Sequence, residues 1–157
     1  MNISYLQTAL ELAHNAIGLC SPNPRVGCVL VKDDQIIGQG HTQSVGQAHA
    51  EVVAIRDAQA HGIDTAGATA YVTLEPCLMC TGAMFHARVT RVVYGAADYK
   101  TGVAESVMNV YAHEQLNHHI NHPVDVVGGV LADEARALLQ QFFQERRALN
   151  KSLNKTD

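Results

Sequence analysis

The sequence lacks any apolar run approaching the roughly 20 residues of a membrane-spanning helix, so no span and no membrane partner is expected. It lacks an internal repeat and any low-complexity segment, which sets aside solenoids and disordered linkers. Its first residues, MNISYLQTALELAHNAIGLC, carry no basic leader and place Glu11 and His14 among apolar positions. They read as an amphipathic helix, with no sign of a secretory signal, and make a cytoplasmic setting the default expectation. A basic excess is missing as well. The formal charge of −4 argues against broad adhesion to nucleic acid, while leaving room for a local basic patch. Cysteine is scarce, with 4 in the chain, and in the cytosol that number suits metal binding or reactivity better than disulfides.

What is present is an ordinary globular composition, 47% hydrophobic and 17% charged over 157 residues, enough for one domain around a single core. The expected division is one domain over 1–150 and a short flexible tail over 151–157, where the charged stretch KSLNKTD is expected to fray. Ile3 to Leu19 spaces Leu6, Leu10, Ala13 and Ile17 as a helix does, and Cys20-Ser-Pro-Asn-Pro24 stops it. VGCVLVK, a turn at Asp33-Asp34, and QIIGQG form a hairpin. A helix follows from about His49 to His61, closed by Gly62; then come the strand ATAYVTL and a helix from about Cys77 to Ala87, with Pro76 at its mouth. RVVYGA is a further strand. The Asn- and His-rich stretch from Asp98 to Pro123 reads as an active-site loop with a short helix. VDVVGGV is a fifth strand, and Asp133 to about Asn150 a final amphipathic helix. Strands interleaved with helices predict an α/β fold, one sheet covered by helices on both faces.

The residues that carry chemistry begin with LEPCLMC, residues 74 to 80. Cys77 and Cys80 stand at i and i+3, on one face of a helix, at an end whose dipole favours thiolate. Alone they suit a redox pair, half of a structural zinc site, or part of a catalytic one. His49, in AHAEV at the mouth of the preceding helix, supplies a third ligand if the intervening strand brings both helix openings to one end of the sheet. One His and two Cys leave the fourth tetrahedral position open, as in a catalytic zinc site with one Zn2+ per chain. Glu51, two residues on, is placed as a proton carrier rather than a ligand. A redox pair leaves His-Ala-Glu unexplained, and so does a zinc knuckle. Cys20 and Cys28 form no such pair and read as buried, inert thiols.

Together, His49-Ala-Glu51 and Pro76-Cys77-x-x-Cys80 resemble the H-x-E…P-C-x-x-C signature of the zinc-dependent nucleoside and nucleobase deaminases. The resemblance covers nearly the whole chain. It implies the cytidine-deaminase-like fold, a three-layer α/β/α arrangement with a five-stranded mixed sheet, and a homodimer or larger assembly. It further implies zinc held by His49, Cys77 and Cys80, with Glu51 as the catalytic acid and base.

Two subfamilies divide the chain. From Leu74 to about Arg147, LEPCLMCTGAMFHAR, RVVYGAADYKTG, Asn117-His118 and GGVLADEARALLQQFFQERR are similar to bacterial tRNA adenosine deaminase. That likeness implies that Asp98 contacts ribose in an anticodon loop and that the C-terminal helix, with Arg136, Arg146, Arg147, Lys151 and Lys155, lies against RNA. From Ser21 to about Thr73, SPNPRVGCVLVK and GHTQSVGQAHAE resemble the pyrimidine deaminase domain of riboflavin biosynthesis. That likeness points to Asn23 as a base contact, and Thr42 stands nearest the place where the tRNA enzymes carry a base-reading asparagine. The favoured expectation is adenosine-to-inosine editing of tRNA. The alternatives are a deaminase of a small pyrimidine or purine compound, and a non-catalytic zinc-binding subunit.

Overall fold

The structure is a computed structural model that describes residues 1–16, 23–120 and 122–156, apart from the His119 side chain. Its elements in chain order are α1 (Ile3–His14), β1 (Gly27–Lys32), β2 (Gln35–His41), α2 (Ala50–Ala60), β3 (Thr69–Leu74), α3 (Leu78–His86), β4 (Arg91–Ala96), α4 (Glu114–Ile120), β5 (Asp125–Val127) and α5 (Ala132–Leu153). The five strands form one mixed sheet in the order β2-β1-β3-β4-β5. β1 pairs antiparallel with β2 and with β3, whereas β3–β4 and β4–β5 are parallel. Asp33 and Asp34 make the hairpin turn at φ 51 and 58, the left-handed geometry that matches the twist of the strands it joins.

Alternation along the strands separates two apolar layers. Cys28, Leu30, Ala70, Val72 and Val92 face α2 and α3, while Val29, Val31, Tyr71 and Val93 meet Leu6 and Ala9 of α1 on the opposite side. α5 packs on β4, so the expected three-layer α/β/α arrangement is what the chain adopts. The helices come close because small residues line their contact faces. A Cβ added to Gly27 would lie 1.8 Å from the Ala9 carbonyl oxygen and 2.8 Å from the Ala13 nitrogen, so α1 rests directly on the backbone of β1.

Three element ends differ from the sequence expectation. α1 ends at His14, where the Asn15 amide turns back to the Leu12 carbonyl at 3.0 Å and tightens the last turn. Ile17, Cys20 and Pro22 lie outside the described residues. β5 stops at Val127 because Gly129 takes φ +79 and carries the chain off the sheet. α5 runs past Asn150 to Leu153, with the Ser152 hydroxyl donating to the Leu149 carbonyl at 2.8 Å. Cys28 is fully buried, and burial pushes its thiol pKa up, so it is an inert packing residue as expected.

The backbone contact at Gly27 leads to a first prediction. Gly27→Ala forces α1 off the sheet and lowers stability by about 1–3 kcal/mol, the usual cost of overpacking. A urea midpoint that falls with an unchanged slope measures it.

Candidate metal centre and cleft

His49 and Cys77 occupy equivalent places: each is the N-cap of a helix, in extended backbone, and neither side chain caps that helix. Histidine and cysteine are poor substitutes for the Ser, Thr, Asp or Asn that usually hold such a position. Both side chains are instead turned toward each other. β3 runs between the two helices and delivers Leu74-Glu75-Pro76 to the end of the sheet where α2 begins. Pro76 is fully buried there, and the Thr81 amide closes the first turn of α3 onto the Cys77 carbonyl at 2.9 Å.

His49 Nδ1 stands 3.7 Å from the Cys77 sulfur and 3.5 Å from that of Cys80, and the three donor atoms lie within 4.8 Å of one another. Zinc bonds of about 2.3 Å to sulfur and about 2.0–2.1 Å to nitrogen, spread tetrahedrally, separate S and N by about 3.6 Å. The His–Cys spacings therefore fit one zinc ion held by these three residues. Without an ion, the Cys77 thiol is held down to about 5, above all by a hydrogen bond from Cys80. The Cys80 thiol is raised by the same pairing and by burial.

Glu51 sits in the first turn of α2, only 4% exposed, with Oε2 at 3.3 Å from the Cys80 sulfur. Burial raises its carboxyl above the ordinary value, so the protonated form is more accessible than for a solvated glutamate. That property suits a group that must both take and give a proton.

Beside this cluster opens a cleft of ≈ 580 Å³, with His49, Glu51 and Cys77 on its floor. Asn23, Thr42 and Asp98 all line it, so the structure gathers every sequence-derived candidate around the one space except Cys80, which is buried behind it. Thr42 is buried, however, and its hydroxyl donates to the Pro24 carbonyl at 3.0 Å and accepts the Val26 amide at 2.9 Å. Its proton is committed to bracing the cleft wall. Asp98 shapes the opposite rim, its Oδ1 accepting the Lys100 and Thr101 amides at 3.0 and 3.1 Å and its Oδ2 the Thr101 hydroxyl at 2.7 Å.

Glu75 belongs to this site and was not singled out by the sequence. It is 2% exposed, and its carboxylate accepts the amides of Asp98, Ala104, Glu105 and Ser106 at 2.8–3.0 Å, together with the Ser106 hydroxyl. Burial works against its charge, but the Ser106 hydroxyl and these amides prevail and hold the carboxyl below its usual value. The loop from Asp98 to Ser106 is thus tied to the residue two before Cys77. α5 supplies the remaining side through Leu139, Phe143 and Arg146.

The cytidine and deoxycytidylate deaminase zinc-binding region matches residues 1–96 of the chain. A tRNA-specific adenosine deaminase of Haemophilus influenzae is 42% identical over 149 residues, covering 90% of this chain and 83% of that protein. The chain belongs to the zinc-binding deaminases. Its fold agrees with two solved members. A structure from work on adenosine-to-inosine editing by deaminases at the wobble position of transfer RNA superposes with a TM-score of 0.74 at 33% identity, covering 88% of this deaminase and 100% of that chain. A bifunctional diaminohydroxyphosphoribosylaminopyrimidine deaminase and uracil reductase of Thermotoga maritima gives 0.72 at 34% identity, covering 90% of this deaminase. This deaminase spans 40% of that longer enzyme. Both resemblances read from the sequence are thereby represented among its relatives.

Removing the Glu75 carboxylate tests its role as loop anchor. Glu75→Ala strands several loop amides and lowers stability by at least about 2 kcal/mol, since hydrogen bonds to a charged group each contribute about 1.5–3 kcal/mol. Hydrogen exchange of the amides between residues 98 and 106 accelerates, read by mass spectrometry.

Proposed function

We propose that the protein is a hydrolytic deaminase converting adenosine to inosine in tRNA, with His49, Cys77 and Cys80 as the ligands of one zinc ion per chain and Glu51 as the catalytic proton carrier. The observation that carries this reading is the 42% identity with a named tRNA-specific adenosine deaminase across 83% of that relative. When bound, zinc supplies the Lewis acidity that makes water a nucleophile at neutral pH. Glu51, on the cleft floor, accepts the proton that water gives up and returns it to the ring nitrogen, then assists departure of the amine. Adenosine and water give inosine and ammonia.

The surroundings support a base presented on a polyanion. Lys100 on one rim and Arg146 on the other set positive charge at the cleft, where phosphates flank a looped-out base. Phe143 is 47% exposed beside them, available for stacking. Asn23 and Asp98 are the side chains we assign to base and ribose. Exposed Leu78 and Met79, with Val107 and Met108, support a homodimer that covers them. The cytoplasm is the compartment this substrate implies, and no helix among the described residues is long and apolar enough to cross a membrane.

A second reading, deamination of a small pyrimidine, is favoured by one feature: the Asn23-Pro24 wall is braced by Thr42 and belongs to the half of the chain that resembles the riboflavin enzymes.

An ammonia-release screen across anticodon stem-loop RNAs, riboflavin-pathway pyrimidines and free bases distinguishes the two. Turnover of an adenosine-containing stem-loop, with KM rising steeply as salt increases, is the expected result. Silence on every stem-loop together with turnover of a small compound overturns the substrate assignment. In the same assay Glu51→Ala loses about 10²–10⁴-fold in kcat, the scale of general acid–base catalysis, while its zinc content by atomic emission stays at wild-type level.

A further inference from the structure

Arg25 stands just before β1, in the stretch whose neighbours Asn23, Pro24 and Val26 line the cleft. It is 6% exposed, and its guanidinium is used unevenly. Nη2 donates to the Glu145 carboxylate of α5, and the guanidinium carbon lies 5.7 Å from the centre of the Phe142 ring. Nε and Nη1 are buried with no partner among the described residues.

For stability alone this is a poor choice of side chain. Buried N–H groups without acceptors cost free energy, and replacing a buried charge in an ion pair by an apolar residue of similar volume is often neutral or stabilising. Glu145 is 47% exposed, so water would solvate it if Arg25 were lost. What the arginine does achieve is a link between two sides of the cleft. On one side, the Thr42 hydroxyl grips Pro24 and Val26, making the wall a rigid unit with the sheet. On the other, Phe142 packs edge-on against Phe143, with ring centres 5.2 Å apart, and the Arg146 guanidinium lies 5.9 Å from the Phe142 ring. Phe143 and Arg146 are two of the three residues that α5 sends into the cleft. The Arg25–Glu145 salt bridge ties α5 to the wall stretch that precedes β1.

We propose that Arg25 is a positioning residue, which holds α5 through Glu145 and Phe142 at a set distance from the Asn23–Val26 wall and thereby determines how substrate fits the cleft mouth. It touches no reacting atom, so its contribution falls on substrate binding and leaves the proton transfers at Glu51 intact. The inference rests on the cleft being the deaminase substrate site, and is independent of which nucleobase compound enters.

The test is a double-mutant cycle of Arg25→Met and Glu145→Ala on the zinc-loaded protein, assayed with the substrate that the wild type turns over, stem-loop RNA or small compound. Each single variant is expected to raise KM about tenfold with kcat within about twofold. The double variant is expected to be no worse than either single one, because both remove one link. The melting temperature of Arg25→Met should stay level or rise. A structural role alone predicts the reverse pattern: a lower melting temperature with KM unchanged, and that result overturns the proposal. Additive KM effects, about a hundredfold in the double variant, also overturn it. Glu145→Ala, at a partly exposed helix position, keeps the test decisive if Arg25→Met fails to fold. If the wild type deaminates none of the compounds, the functional reading fails by itself. Hydrogen exchange across residues 139–147 then decides the link: faster exchange in both variants supports it, and wild-type rates overturn it.

Discussion

The meeting of two helix starts is the constraint on which the rest of this molecule depends. His49 opens α2 and Cys77 opens α3, and they reach 3.7 Å separation only because β3 returns the chain to the same end of the sheet. Each gives up a side-chain cap to face the other. The helix dipoles then contribute positive potential from two directions, which stabilises thiolate and any anion forming there. With Cys80 one turn further along α3, three donor atoms lie within 4.8 Å of one another, a set that would hold a zinc ion beside the cleft. Glu51 lies on the first turn of α2 for the same reason, since the residue two beyond a helix start is carried inward with it.

Keeping two helix starts at this spacing demands a stiff frame. The apolar layer beneath α2 is built of alanines, Ala50, Ala54 and Ala58, against the backbone of β2, so the helix sits close to the sheet with little room to slide. Around that frame the cleft walls are made by polar bracing. Thr42 secures the Pro24–Val26 wall, Glu75 gathers the 98–106 loop, and Arg25 joins the wall to α5. All three are buried polar groups whose partners lie far away in sequence. A buried carboxylate or guanidinium is tolerated where it makes such bonds, and the Arg25 donors that find no partner among the described residues mark where that bracing is thinnest.

Much of this was legible in the residues themselves. The hairpin was carried by β-branched runs around Asp33-Asp34, and the zinc cluster by the short, regular spacings of His49-Ala-Glu51 and Cys77-x-x-Cys80. Local patterns of this sort survive in one dimension because their partners are a turn or a strand away. Glu75 lies within LEPC, yet that motif does not mark it as a loop anchor. Its five donors come from Asp98 and from residues 104 to 106, and nothing in LEPC announces them. Thr42 stands where the resemblance expects a base contact, whereas its hydroxyl bonds into the wall, an outcome set by where Pro24 and Val26 lie.

The amino-acid sequence by itself determined the sheet-and-helix alternation, the three zinc-ligand candidates and the acid beside them, because periodicity and ligand spacing are properties of neighbouring residues. Tertiary structure alone decided the shape of the cleft and the duties of the groups around it. Arg25 and Glu145 are separated by most of the chain, and whether such a pair meets depends on the packing of α5 across the sheet. Long-range contacts of this kind follow from how whole layers fit together, which no local pattern encodes.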